Sequence, residues 1–418
     1  MFAVVYISAM IITTGLLCLL PKRQVRTALY CGALLFGVVG FMMVPRNSMY
    51  VDTIRFFDTL DAARNYLRVG PAQAWDYLMN DQGYASTPVM GIVMYCIAWL
   101  RHNGWLTFLA AFADIGAGFY LIYQQSLKGK YNKKALIAAC LFFLSVFNFN
   151  AGVSGIRSYM VCGLSVCVTY YYSTRGFRPI TAAWYLILIL IHPFGAVAPI
   201  LYVMSLTIKN HRVIFFALCI VLLLQQRFQE AIFQIIGRYS SIPFFGSIAY
   251  KSTQYFGDSA YIVSSSIFSR IRDIVVFCFL LLIIVESLRH KPVVNLHYTG
   301  FLIMLVSFGA GAFLDEQLFT RNTVYILFGA LPFIYSLYCR IYSTEKKSVK
   351  IPLVGFAINL GSIICLIDNM RAGIRFEEMQ IDWVSLCICI IIMIFLTIRI
   401  SAGSKHCYDE CFIESVEE

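Results

Sequence analysis

The side chains best suited by type and position to do chemistry are arginines, one histidine and a few aspartates. Arg157 and Arg321 each open an apolar run, just inside its boundary, where an unpaired charge is costly. A guanidinium there offers a planar fork for phosphate or carboxylate, and pairing with a structural carboxylate such as Asp315 or Glu316 is the competing account. His192 lies beside Pro193 in "YLILILIHPFGAVAPILYV", residues 185–203. An imidazole in that place can take a proton, orient a hydroxyl or cap backbone groups in a turn. Asp52, Asp58 and Asp61 fall in "VDTIRFFDTLD", where Asp52, Arg55 and Asp58 share a helix face. Asp114 stands alone as an acid in the middle of an apolar span. Such a residue is a functional candidate by default, yet a neutral carboxyl bonded to a neighbouring helix explains it equally, and it is not taken as the base.

The elements that position these groups are membrane spans. The 418 residues are 60% hydrophobic and 13% charged, against roughly 25% charge in a soluble domain. Apolar runs long enough for a hydrocarbon core of about 30 Å recur along the chain. The expected spans are 2–20, 27–44, 87–100, 105–124, 135–149, 157–173, 179–192, 194–207, 212–225, 270–287, 296–313, 323–340, 351–367 and 382–399. The first lacks a basic leader and a small-residue cleavage site, and reads as a retained span. We expect an all-α polytopic protein with one transmembrane domain, 1–400, and a cytoplasmic polar tail, 401–418. Two long outer loops, 45–86 and 226–269, interrupt it. Within the second, Phe228, Ile232, Ile235 and Ile236 recur at helical spacing before Gly237, the pattern of an amphipathic helix on the membrane surface. No internal repeat is evident, which argues against transporter folds built by duplication.

Lysine and arginine set the orientation. "PKRQVR", "KGKYNKK", "STRGFR", "IKNHR", "LRHK" and "STEKKSVK" read as cytoplasmic connections. Alternation then holds from residue 128 onward but fails before it unless 87–100 or 105–124 is something other than a simple crossing, and 87–100, 14 residues bounded by Pro88 and Arg101, is taken as re-entrant or partial. That leaves about thirteen crossings, N-terminus out and C-terminus in. The net charge of +11 is spread over connections and suits lipid headgroups rather than nucleic acid. Of 14 Cys, all but Cys407 and Cys411 lie in or beside apolar runs without metal-ligand spacing, so no metal is expected.

Sorted by expected side, the outer set holds 13 Arg (46, 55, 64, 68, 101, 157, 227, 238, 270, 272, 321, 371 and 375) and one Lys, Lys251, while the inner set holds 11 Lys and 8 Arg. Arginine binds oxyanions bidentately where lysine acts as a point charge. An anionic ligand handled outside is the reading this favours. His192, at the outer tip of two short crossings, would sit among these arginines.

Four stretches, in order, resemble the EpsG family of Wzy-type polysaccharide polymerases. They are "PRNSMYVDTIRFFDTL" at 45–60, "NAGVSGIRSYMVCGLSV" at 150–166, "LILIHPFGAVAPILY" at 188–202 and "EQLFTRNTVYILFGALP" at 316–332. The chain departs from the family where a Gly would precede Asp52 and where Ser158 follows Arg157. The resemblance implies a glycosyltransferase with a GT-C-like fold in the bacterial cytoplasmic (inner) membrane. It would join undecaprenyl-diphosphate-linked oligosaccharide repeat units on the outer face, building O-antigen, capsule or exopolysaccharide without nucleotide sugar, metal or cofactor. Arg157 and Arg321 would hold the diphosphate, and Arg46, Arg55, Arg270 and Arg272 are further candidates for diphosphate or glycan. His192 or Asp52 would accept the acceptor-hydroxyl proton. Membrane lipids are expected partners, and a chain-length regulator protein is one the resemblance allows. Two other classes fit some of these features: a flippase for lipid-linked oligosaccharide, which also needs a cationic cavity, and a membrane O-acyltransferase, for which a membrane histidine is suggestive.

Overall fold

The computed structural model describes residues 2–43, 52–128, 131–225, 267–289, 294–313, 316–342 and 350–373, with four isolated positions between 228 and 241. These are helical throughout, without strands. The helices are α1 Phe2–Leu19, α2 Val25–Phe41, α3 Asp52–Val69, α4 Pro71–Asp76, α5 Pro88–Trp99, α6 Gly104–Ser126, α7 Lys133–Val146, α8 Phe149–Ser154 and α9 Ile156–Arg175. They continue as α10 Pro179–Ile191, α11 Val197–Ser205, α12 Thr207–Asn210, α13 Arg212–Leu223, α14 Ile267–Arg289, α15 Leu296–Gly311, α16 Glu316–Ile341 and α17 Lys350–Gly373. Among the described residues, four helices are long and apolar enough to cross a membrane: Phe2–Leu19, Lys22–Phe41, Gly104–Ser126 and Leu318–Ile341. Five more are apolar but shorter. Val4, Leu19, Val213, Phe216 and Leu282 stand exposed on the outside of the bundle, consistent with a helical membrane protein. The span expected at 382–399, most of the amphipathic helix near 226–241, the tail and Arg46 lie outside the described residues.

Local chemistry starts and stops these helices. Asn132, Asn148 and Asn295 cap α7, α8 and α15 by accepting from Ala135, Ala151 and His297 amides. Prolines 71, 88 and 179 occupy the first turns of α4, α5 and α10, where no amide is needed. After α9, Gly176 takes φ +77° and returns its amide to the Tyr172 carbonyl, a left-handed ending that favours glycine.

The described helix ends that flank the basic connections meet at one end of the bundle. Lys133 Nζ donates to the Cys18 and Leu20 carbonyls at the close of α1. The Tyr335 hydroxyl accepts from the Asn132 amide, and Gln125 bridges Ser336 and Tyr170. Asn295 donates to the Ser173 carbonyl, and Ser205 to that of His297. Between the ends, Phe142, Phe143, Phe147, Phe328 and Tyr298 are almost wholly buried in the main core.

A second, smaller core lies at the opposite end. Phe56, Leu60 and Ala63 of α3 and Met90, Met94 and Ile97 of α5 pack on Leu106, Ile156, Met160, Leu188 and Ile191. Both ends of α5 belong there: Tyr84 precedes it beside Arg157, and His102 after it stacks on Phe41, with ring centroids 4.5 Å apart. Asn103 bonds Arg64 and Asp61 of α3. Helix α5 therefore does not run from one end of the bundle to the other.

The turn after α10 depends on a close backbone approach. A Cβ on Gly195 would meet the Leu188 carbonyl carbon and oxygen at 2.8 Å. Gly195→Ala should destabilise the purified protein by about 1–3 kcal/mol, the usual effect of overpacking, seen as a lower thermal midpoint in detergent.

Candidate functional site

Arg157 stands one residue into α9, half-buried, with its guanidinium over the Phe56 ring at 5.1 Å and the Tyr84 ring at 5.6 Å. Aromatic faces hold a cation without neutralising it. Burial pushes the Tyr84 phenol above its ordinary value, although Arg157 and Arg55 draw it down, so the ring beside Arg157 is neutral. Thr53, wholly buried, donates to the Val153 carbonyl and ties the start of α3 to the turn before Arg157. Next to it, Asp52 and Arg55 form an ion pair at the surface.

On α9, Tyr159 follows Arg157 by two residues, roughly 200° around the helix axis, and meets different neighbours. It lines a cavity of about 220 Å³ with Asn148, Arg272, Asp273, Thr320, Asp368 and Asn369. Asp273 is buried and receives the Arg272 guanidinium at 2.9 Å and the Thr320 hydroxyl at 2.5 Å. Asp368 lies 3.7 Å from Arg272 on the other side. Asn369 donates to the Ser145 and Phe147 carbonyls, and the Asn369 carbonyl accepts from Asn150. Arg321 is half-buried within electrostatic reach of both Tyr159 and Cys162. This cluster joins α7, α9, α14, α16 and α17 at the end opposite the basic connections.

His192 is recessed. Helix α10 has 13 residues, a rise of about 20 Å, short of a full hydrocarbon core. The Thr169–Tyr185 bond sets α9 and α10 side by side. Counted from it, His192 lies about 8 Å deeper than Arg157 at 1.5 Å per residue. Its Nδ1 accepts from the Phe194 amide, so the imidazole caps the turn begun by Pro193. The sequence places this residue at the outer mouth among arginines; the short helix keeps it below them.

The four sequence blocks touch one another. Thr53 and Phe56 of the first meet Val153 and Arg157 of the second. Ser165 of the second shares a 2.5 Å hydrogen bond with Tyr325 of the fourth, and Tyr325 donates to the Phe194 carbonyl of the third. Leu188 and Ile191 of the third pack with Ile156 and Met160 of the second.

Other candidates fall apart from this assembly or bear on it indirectly. Arg270 lies over the Phe313 ring at 5.8 Å. Asp114 is 1% exposed, and neither carboxylate oxygen has a hydrogen-bond partner among the described residues. One of those oxygens lies 2.9 Å from where a Cβ on Gly152 would stand, which reserves that position for glycine. The cavity's Tyr159, Asp273, Thr320 and Asp368 escape a reading by sequence alone. For Asp273 the available signal is a carboxylate one turn into the run "RIRDIVVFCFL". Among protein families, curated proteins and solved structures, none matches this chain.

Proposed function

We propose that this protein is a membrane glycosyltransferase that polymerises lipid-diphosphate-linked oligosaccharide repeat units. In this reading it has about thirteen crossings and a GT-C-like arrangement, in the bacterial cytoplasmic membrane, with its site facing outward. The observation that carries the reading is the cavity of about 220 Å³ where Arg272, Asp273, Thr320, Asp368 and Tyr159 converge, at the end away from the basic connections, with Arg321 following Thr320 and within electrostatic reach of Tyr159. The mutual contact of the four blocks that resemble the EpsG family supports the same view.

The chemistry suits these residues. The bond from the glycan's anomeric carbon to the diphosphate oxygen breaks, and a bond forms from that carbon to the acceptor hydroxyl oxygen. Charge collects on the departing diphosphate, and fixed guanidinium groups in a water-poor site stabilise it. Arg157 and Arg321 serve that role, with Arg272 lining the cavity, and Arg46, Arg55 and Arg270 are further outer cations for diphosphate or glycan. The hydroxyl proton goes to a base, His192 or Asp52 by the sequence, while buried Asp273, paired with Arg272, is a carboxylate in the cavity itself.

The deciding experiment supplies purified protein in proteoliposomes with undecaprenyl-diphosphate-linked oligosaccharide and no nucleotide sugar. A ladder of longer lipid-linked products is expected. Movement of unlengthened units across the bilayer, without a ladder, would instead identify a flippase. The aromatic core that fills the bundle between its two ends favours a one-sided site over a conduit.

A further inference from the structure

We infer that the basic end of the bundle holds a specific anionic phospholipid, seated in a crevice between α2, α6, α9 and α10. The crevice encloses about 450 Å³ and is lined by Phe112, Leu164, Val168, Ile180, Trp184 and Leu188 among others, a volume and lining typical of a small-molecule site. On α10 its lining runs from Ile180 in the first turn to Leu188, about 12 Å along the helix axis, enough for part of an acyl chain.

Its mouth is different in character. Tyr30, Gly116 and Tyr120 also line an adjoining cavity of about 100 Å³, which Arg26, Tyr123 and Gln124 complete. Arg26 lies over the Tyr30 ring at 5.5 Å, and Arg175 over the Tyr171 ring at 5.4 Å. Arg175 also stands within electrostatic reach of Tyr120. Both guanidinium groups are on exposed residues. Two arginines thus sit on tyrosines that line an otherwise apolar slot, which matches a phosphate diester above a fatty chain. Trp184, about half exposed at the first turns of α10, sits where amphipathic aromatics anchor at the headgroup level. A zwitterionic lipid would carry its own ammonium to the same arginines, so charge selects an anionic headgroup. This site lies at the opposite end from the transfer cavity and does not depend on that reading.

The test uses full-length protein in neutral detergent, titrated with phosphatidylglycerol, phosphatidylcholine or undecaprenyl phosphate, with bound lipid counted by native mass spectrometry. Phosphatidylglycerol should saturate at one molecule per chain, at least tenfold tighter than phosphatidylcholine and more weakly as salt rises. Arg26→Gln with Arg175→Gln should weaken it about tenfold or more. Lys209→Gln with Arg212→Gln removes equal charge elsewhere at the same end and should leave it unchanged. Gly116→Leu probes the slot itself, since a Cβ there meets only Ala33 Cβ, at 3.8 Å; it should block the lipid while the protein stays folded. Equal affinity for the two phospholipids, equal loss from both charge pairs, or retained binding in Gly116→Leu would overturn the site. Tighter binding of undecaprenyl phosphate than of phosphatidylglycerol would overturn the choice of occupant.

Discussion

Arg321→Ala is expected to slow chain elongation about 10²- to 10³-fold, the loss that follows removal of one preorganised donor to a developing anion. The size of the effect rests on surroundings. Arg321 is half-buried at the start of α16, near Tyr159 and Cys162, where charge interacts far more strongly than in water. Because the charge appears on the diphosphate mainly as its bond breaks, kcat should fall more than KM rises. Arg321→Lys should recover only part of the loss, since an ammonium cannot reproduce a two-pronged contact. Arg157→Ala should also suppress long chains, but through a second route as well: it removes the cation held on Phe56 and Tyr84. That loosening costs about 0.5–2 kcal/mol, so its thermal midpoint falls where that of Arg321→Ala holds. Product ladders and thermal melts on the same purified samples separate the two contributions. Wild-type ladders from both variants would sink the transfer reading. A low midpoint with wild-type activity per folded molecule in Arg321→Ala would instead mark it as the partner of a structural carboxylate.

Much of the helical plan is readable from the chain because membrane spans are written in long apolar runs. The expected spans within the described residues are helical, and the charges together with the short length and the flanking Pro88 and Arg101 single out 87–100, whose helix α5 has both ends at one end of the bundle. The Asp52–Arg55 pair is legible too, since three-residue spacing on a helix brings such groups together. The shortness of α10 is legible by counting, since 13 residues from Pro179 to Ile191 rise about 20 Å, not 30 Å, while the depth of His192 relative to Arg157 needs the Thr169–Tyr185 contact. The cavity was not. Asp273 finds Thr320 from α16 and shares Arg272 with Asp368 from α17, partners set by how helices distant in sequence pack. Equally, no spacing rule tells that Arg157 turns toward α3 while Tyr159 turns toward α14. Those choices belong to tertiary packing, where small residues and aromatic faces decide which sides of α9 meet which helix.

The same cluster makes the second large prediction. Asp273→Ala should destabilise the protein by about 2–3 kcal/mol and abolish elongation. Breaking a buried pair leaves a charge uncompensated, an effect of about 3–5 kcal/mol when both partners are fully enclosed. Here the Arg272 side chain keeps 26% of its exposure and Asp368 stands 3.7 Å away, so the effect falls at or just below the low end of that range. Stability alone does not say what Asp273 is for, and two further variants do. Arg272→Met with Asp273→Leu replaces the pair by apolar groups and should restore the thermal midpoint to within about 1 kcal/mol of wild type. It should still elongate at least about 10²-fold more slowly, because the cavity has lost the Arg272 fork and the Asp273 carboxylate and keeps Asp368 as its remaining acid. Asp273→Asn keeps an oxygen for the Thr320 hydroxyl but loses the negative charge that the arginine faces. It should fold with a modestly lower midpoint and elongate at least about 10²-fold more slowly, the scale of a lost general base. Full elongation by Asp273→Asn would exclude the carboxylate from the chemistry and leave it holding Arg272 in position. In that case Arg272→Ala, rather than any change at Asp273, would give the larger kinetic loss.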